Sequence, residues 1–209
     1  MINSVSTLLS DKVCVAINKR YANPPFLVVV EDGLKSAIKK LFLFDLPQNS
    51  YAISLDISSN KMDEDEKIQF SRLNHYLDKA NNLGINKRCD LVLFTEESGV
   101  ENVYIFDLKS SDPDPEDVCM QLVNSEIYIK YILELAKFFK NKNISGISFF
   151  KVVGTTRVRK QVPHANLELR KKIARKNALY NKYNVKEITL LPGNKRKARL
   201  TYSELVRLF

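Results

Sequence analysis

Short β-branched runs alternate with longer amphipathic segments along this 209-residue chain, which predicts an α/β protein with a mixed central sheet flanked by helices. Three observations carry that prediction. Phe26 to Val30 and Val103 to Phe106 are apolar, rich in β-branched and aromatic residues, and too short for helices. Glu116 to Lys140 repeats apolar residues at helical spacing. A further apolar run, Ile144 to Val153, follows that helix directly.

Val13 to Ile17 and Phe26 to Val30 are strands, separated by the loop residues Asn23-Pro24-Pro25. Gly33 to Phe44 is expected as a short helix, because Leu34, Ile38, Leu41 and Phe42 share one helical face. Ala52 to Ile57 is another strand. Asp63 to Asn81 reads as a helix with Asp63 as its cap, Glu66 three residues on, and a stripe of Ile68, Leu73, Tyr76 and Leu77. Arg88 to Phe94 and Val103 to Lys109 form a hairpin around a polar loop of eight residues, Thr95 to Asn102. The prolines of Ser110 to Pro115 make a loop before the long helix. Asn166 to Lys182 is a basic helix, and Val185 to Leu191 a last strand ended by Pro192-Gly193.

Composition narrows the class. An apolar fraction of 44% suits a folded domain, and no run approaches the ~18 apolar residues of a membrane span. Met1 to Ser10 lacks a basic n-region, so no signal peptide is read there and a cytoplasmic setting is expected. Cys14, Cys89 and Cys119 are scattered and odd in number, which fits free thiols in a reducing interior. With His75 and His164 as the only histidines and no CxxC pair, a structural zinc site is not expected. His75, alone on a helix, is read as structural. Tyr128 and Tyr131 are read as packing residues. The serines lie in no nucleophile-elbow pattern, and no glycine-rich phosphate loop occurs, which argues against an ATPase or a dinucleotide enzyme.

Charge is unevenly spread. The formal net charge is +9, yet Gly154 to Phe209 holds fifteen Lys or Arg against three acids, leaving residues 1–153 slightly acidic. The expected organisation is an α/β core over 1–153 and a basic C-terminal extension, 154–209, packed on the same domain. Such asymmetry points to a polyanion, of which nucleic acid is the commonest. Arg157, Arg159 and Lys160 follow the last core strand, Arg170, Lys171, Arg175 and Lys176 fall at helical spacing, and Lys195-Arg196-Lys197 with Arg199 reads as a basic loop. These suit phosphate backbones and carry no base code by themselves.

The hairpin holds the chemistry. Residues two apart on a strand share a face, so Asp107 and Lys109 are neighbours. If Phe94 pairs with Val103, the same register sets Asp90 opposite Asp107. Two carboxylates facing each other are unfavourable, and a divalent cation removes the conflict. Mg2+, or Mn2+, prefers one or two carboxylates, waters and phosphate oxygens. A lysine beside the metal stabilises charge at phosphorus and orients water.

Asp90, sixteen intervening residues, then Asp107-Leu108-Lys109, inside apolar strands and followed by a long helix, resembles the PD-(D/E)XK nuclease superfamily with its restriction-endonuclease-like core. The likeness spans roughly residues 63–153. It implies metal ligation by Asp90 and Asp107 and catalysis by Lys109. It also implies an acid from the helix before the hairpin: Glu66 or Glu64 is the candidate, with Glu66 taken as the third metal ligand. Gln121 in the following helix matches a Gln of some branches and is counted with the catalytic set; as a solvated helical residue it would mean nothing. Cys89 stands where the family pattern has Pro.

Two readings from different classes follow. One is a magnesium-dependent endonuclease cutting DNA in preference to RNA, as a homodimer or as the effector subunit of a larger bacterial or phage-defence complex. The other is a catalytically silent nuclease-like subunit that binds nucleic acid or protein. Plasmid cleavage with bound metal separates them.

Overall fold

The computed structural model describes residues 1–19, 23–31, 33, 36–57, 63–70, 73, 84–109, 113–141, 146–156 and 167–209, all but Lys67 with their side chains. The fold is mixed α/β, with two mixed sheets and, among the described residues, five α-helices. No helix among them is long and apolar enough to cross a membrane.

The larger sheet runs in the order β4 (Asn49–Ile53), β5 (Leu91–Glu97), β6 (Val100–Lys109), β7 (Ser148–Thr155), β8 (Val185–Thr189). Its first three strands are antiparallel, and β7 and β8 add in parallel. The smaller sheet runs β1 (Ile17–Asn18), β2 (Phe26–Val30), β3 (Lys40–Phe44), β9 (Lys197–Thr201). The C-terminal 154–209 portion thus supplies an edge strand to each sheet.

Residue parity sorts the core into two layers. Val92, Phe94, Val103 and Ile105 of the larger sheet face α1 (Ile2–Ser6), α3 (Pro115–Lys140) and α4 (Leu167–Tyr183), where Val118, Leu122 and Ile129 meet them. Leu91, Leu93, Tyr104 and Phe106 face the other way, onto Leu27, Leu41, Leu43 and Leu200 of the smaller sheet. The result is three layers: helices, five strands, four strands. Gly154 permits part of this closure, since a Cβ there would lie 2.7 Å from Leu190 Cδ1 and 2.8 Å from Phe106 Cζ.

The β5–β6 register pairs Phe94 with Val103, as the hairpin reading expects. The loop is shorter than expected, however. The strands continue through Glu96↔Glu101 and Glu97↔Val100, and only Ser98 and Gly99 turn. Both have positive φ, 52° and 80°, the requirement of a two-residue turn whose twist matches the strands.

Several expected elements differ. The Gly33 to Phe44 helix is overturned at its C-terminal half, where Lys40–Phe44 is β3. Its burial alternates, with Leu41 and Leu43 inward against Val29 and Leu27. Period two thus wins over the period-3.6 match. The Val13 to Ile17 strand becomes a 3-10 turn, Asp11–Val13, an isolated bridge from Cys14 to Ile53, and the short β1. Lys197 to Arg199, expected in a basic loop, lie in β9, parallel to β3. The helix begun at Asp63 is described over Glu64–Gln69 (α2), and most of its expected remainder lies outside the described residues. The long helix and the basic helix fall where periodicity sets them.

Candidate active site

Asp107 and Lys109 end β6, and Asp90 immediately precedes β5. The ladder's last registered pair is Leu91 with Phe106, so the next step of the same register brings Asp90 to Asp107. All three side chains share the parity of the helix-facing residues Val92, Val103 and Ile105. They therefore open toward α3.

α3 fixes this corner. Asp114 caps the helix, accepting from the Glu116 N–H at 2.8 Å, and Pro115 occupies its first turn. Gln121 and Ser125, one turn apart, hold the segment that enters β5. The Gln121 amide donates to the Arg88 carbonyl, and the Cys89 N–H donates to Ser125 Oγ at 3.0 Å. Asp90 is further pinned by the Leu108 N–H, which donates to its Oδ2 at 2.5 Å.

Lys109 joins the parts. Its Nζ lies 2.8 Å from Asp107 Oδ2 and donates to Gln121 Oε1 at 3.0 Å. Asp107 is fully buried. Lys109 and Asp90 both act on it and pull its carboxyl down against burial, yet neither of its oxygens has a well-aligned hydrogen bond among the described residues. Buried polar atoms left in that state are uncommon and costly.

The charges respond accordingly. Burial pushes the Asp107 carboxyl up to about 6, against the pull of Lys109. Asp90 stands well above the usual carboxylate range because of burial and then the facing Asp107. Burial opposes the charge on Lys109, but Asp107, with Asp90 and Glu31 behind it, holds the ammonium above its ordinary range. The lysine is thus a fixed cation.

Lys109 and Gln121 line a cleft of about 470 Å³, shared with Asp56, Lys87, Arg88 and Asp117. The cations at its rim are paired, Arg88 with Asp56 at 2.8 Å and Lys87 with Asp117 at 2.5 Å.

The other expected site residues are placed differently. Glu66 closes a capping box with Asp63, accepting from the Asp63 N–H at 3.3 Å, and pairs with Lys12 at 2.8 Å. Its described contacts do not include Asp90 or Asp107. Glu64 is exposed in the first turn of α2. Among the described residues no group of three or more His, Cys, Asp or Glu side chains converges as a metal cluster; the acids brought together are the pair Asp90 and Asp107. Arg157, Arg159, Lys160 and His75 lie outside the described residues. On α4, Arg175 pairs with Glu116 at 2.5 Å and Lys176 with Glu187 at 2.7 Å, while Lys171 contacts Glu168 within the helix at 3.3 Å. Arg170 also lies on α4.

Two acids that act on the site were not singled out by sequence. Glu31, following β2, raises the carboxyl of Asp90, and Asp56 that of Asp107. The usable signal is an acid at the end of an apolar run: Glu31 closes Phe26 to Val30, and Asp56 follows Ala52 to Leu55.

No protein-family model matches the chain, and neither a curated protein nor a solved structure matches it.

Proposed function

We propose that the protein is a magnesium-dependent endonuclease of PD-(D/E)XK type, hydrolysing DNA phosphodiester bonds at Asp90, Asp107 and Lys109. One observation carries the reading: two facing acids, one fully buried with no aligned partner for either oxygen, stand beside a lysine held as a cation. The antiparallel β5–β6 pair, the following α3 and the parallel β7 agree with a restriction-endonuclease-like core.

The donor set fits a hard divalent cation. Carboxylate oxygens are its preferred ligands, and the buried Asp107 carboxylate, whose oxygens lack well-aligned hydrogen bonds and whose one charge partner at Oδ2 is Lys109, is what such an ion satisfies. Asp90 and Asp107 would hold it, and when bound it supplies positive charge to a phosphoryl oxygen and acidifies a water. The chain's own groups do the rest. Lys109, protonated, offers N–H donors and positive charge where negative charge develops at phosphorus. Gln121 keeps the ammonium aimed by accepting one of its hydrogens. Through Leu108 and the Arg88–Cys89 segment, the backbone fixes Asp90 before any ligand arrives.

A second reading is a nucleic-acid-binding subunit that does not cut. It is favoured by Glu66, whose capping and Lys12 contacts leave two carboxylates at the described site. Incubation of plasmid and single-stranded DNA with the protein, with and without Mg2+, decides between them. Metal-dependent cutting that Asp107→Ala abolishes supports the enzyme. Metal-independent binding without any cutting supports the second reading.

A further inference from the structure

The smaller sheet turns one face inward onto the core and the other outward. Strand register defines the outward set. Phe26 lies across from Asn18, Val28 pairs with Phe42 and Phe42 with Arg199, while Val30 pairs with Lys40 and Lys40 with Lys197. Phe44 and Thr201 complete the first of these rows. The face therefore carries three aromatic rings at one end and grades into cations at the other. Phe42 and Phe44 are stacked at 6.0 Å, and Phe26 lies 5.6 Å from Phe44. Lys197 sits over the Phe42 ring at 5.8 Å and Arg199 over Phe44 at 5.7 Å.

Two contrasts give this face a meaning. No outward position of the three rows is an acid, and Lys40, Lys197 and Arg199 have no ion-pair partner among the described residues. On α4, by comparison, Lys171, Arg175 and Lys176 each contact a glutamate. Asp45 and Glu204 line a cleft together with Phe44 and Arg199 at the aromatic end of the face, and Glu204 is engaged in capping α5 (Tyr202–Val206). Half-exposed rings interleaved with cations that have no carboxylate partner are the chemistry that holds an unstacked nucleic-acid strand: bases stack on rings of any sequence, and cations follow the phosphates. A second copy of the chain fits poorly, because it would set three cations against three.

We propose that the outer face of β2, β3 and β9 is a binding platform for single-stranded DNA. Bases stack on Phe42, Phe44 and Phe26, and phosphates meet Lys40, Lys197 and Arg199. The DNA assignment rests on the proposed nuclease reading: the face carries two neutral polar side chains, Asn18 and Thr201, in the row of Phe26 and Phe44, so oligouridylate is the competing ligand in the test. The platform does not depend on cleavage, and its test excludes metal.

A labelled oligothymidylate of about twelve nucleotides, a length within the usual reach of such surfaces, is titrated with the full chain in EDTA and followed by anisotropy. Tighter binding of the single strand than of the matching duplex or of oligouridylate is expected. Lys197→Glu with Arg199→Glu, both exposed, should weaken it at least tenfold and flatten the salt dependence. Phe42→Leu, which keeps apolar bulk and removes the ring, should weaken it roughly tenfold with the salt slope unchanged. Equal affinity of the charge-reversed and parent proteins overturns the platform, as does preference for duplex. Preference for oligouridylate overturns the DNA assignment. A parent dimer that the charge-reversed variant converts to monomer overturns it in favour of a self-association face. Loss of platform binding with metal-dependent plasmid cutting intact leaves the nuclease reading standing alone; the reverse result sinks that reading and keeps the platform.

Discussion

The Lys109 ammonium stands 2.8 Å from Oδ2 of Asp107, its neighbour two residues earlier on β6. Because Gln121 Oε1 holds the same ammonium at 3.0 Å, its position is set before substrate binds. Lys109→Ala should lower the single-turnover cutting rate by about 10²–10³, the usual effect of losing one such electrostatic contact. DNA affinity should change far less, because many other cations are available for phosphates. Equal losses in rate and affinity, or cutting at the parent rate, would contradict this role.

Asp107 is predicted to be a site residue that weakens the fold in the absence of metal. Its carboxylate is buried and its oxygens lack aligned partners, which costs stability unless a cation is bound. Asp107→Asn should abolish cutting while leaving the metal-free melting temperature equal to or above that of the parent. The parent should gain stability with Mg2+, by about 2.7 kcal/mol at a concentration one hundred times the dissociation constant, and the variant should gain much less. Calorimetry of both proteins in EDTA and in Mg2+ checks this. A variant that melts well below the parent in EDTA would assign Asp107 a structural role instead.

The hairpin register is legible as the simplest symmetric closure, Phe94 on Val103, and it keeps Leu91, Leu93, Phe106 and Leu108 on one face and Val92, Phe94, Val103 and Ile105 on the other; a one-residue slip would invert every one of them. The same closure sets Asp90 beside Asp107. The turn was less legible, because Glu96, Glu97 and Glu101 are polar yet stay in the ladder, extending the strands beyond the apolar run. β3 and β9 were obscured for another reason. Each is five residues long and amphipathic at period two, and their pairing spans most of the chain. Glu66 was misleading because one motif serves two purposes: the acid three residues after a cap is what a capping box needs. Glu31 and Asp56 are not legible as site residues in the sequence because only tertiary packing brings their separate segments to the site.

Lys151 gives a stability prediction away from the site. It is buried on β7 and pairs with Glu126 of α3, which also holds Lys130 at 2.6 Å. Burial works against the charge on Glu126, but the two lysines outweigh it and leave the carboxyl below its ordinary range. A carboxyl lowered in the folded state stabilises the protein above its unfolded pKa. That contribution is lost as pH falls through the lowered folded value. Glu126→Gln should therefore destabilise the fold at neutral pH, by about 3–5 kcal/mol if Lys151 is left charged and alone. The gap from the parent should close at strongly acidic pH. Lys151→Met should cost less, since Glu126 retains Lys130. Denaturant midpoints across the acid range test the pair, and a gap that persists unchanged into strong acid would remove the electrostatic explanation.

On α4, the seventeen-residue helix Leu167–Tyr183, the basic residues divide by what they already touch. Lys176 is mostly buried, pairs with Glu187 at 2.7 Å, and leans on the Tyr180 ring at 5.4 Å. Glu187 also accepts from Thr155 Oγ1 at 3.4 Å. Lys176 is therefore part of the packing between α4 and the edge of the larger sheet, and Lys176→Glu should lower the melting temperature by setting two acids together in a poorly solvated place. Arg175 ties α4 to α3 through Glu116, both exposed, a pair of the kind that contributes little to stability. Lys171, whose contact is one exposed turn away at Glu168, remains accessible to a phosphate. The expected outcome for duplex DNA is graded. Arg170→Glu with Lys171→Glu should reduce affinity and shift the log–log salt slope by about 1.8, at roughly 0.9 for each lost phosphate contact. Lys176→Gln should leave that slope unchanged while melting earlier. Anisotropy over a salt series, with melting measured on the same preparations, distinguishes the two classes. If Lys176→Gln lowers the slope as much as the Arg170 and Lys171 pair does, the ion pair with Glu187 opens on binding and α4 meets DNA with its whole basic stripe.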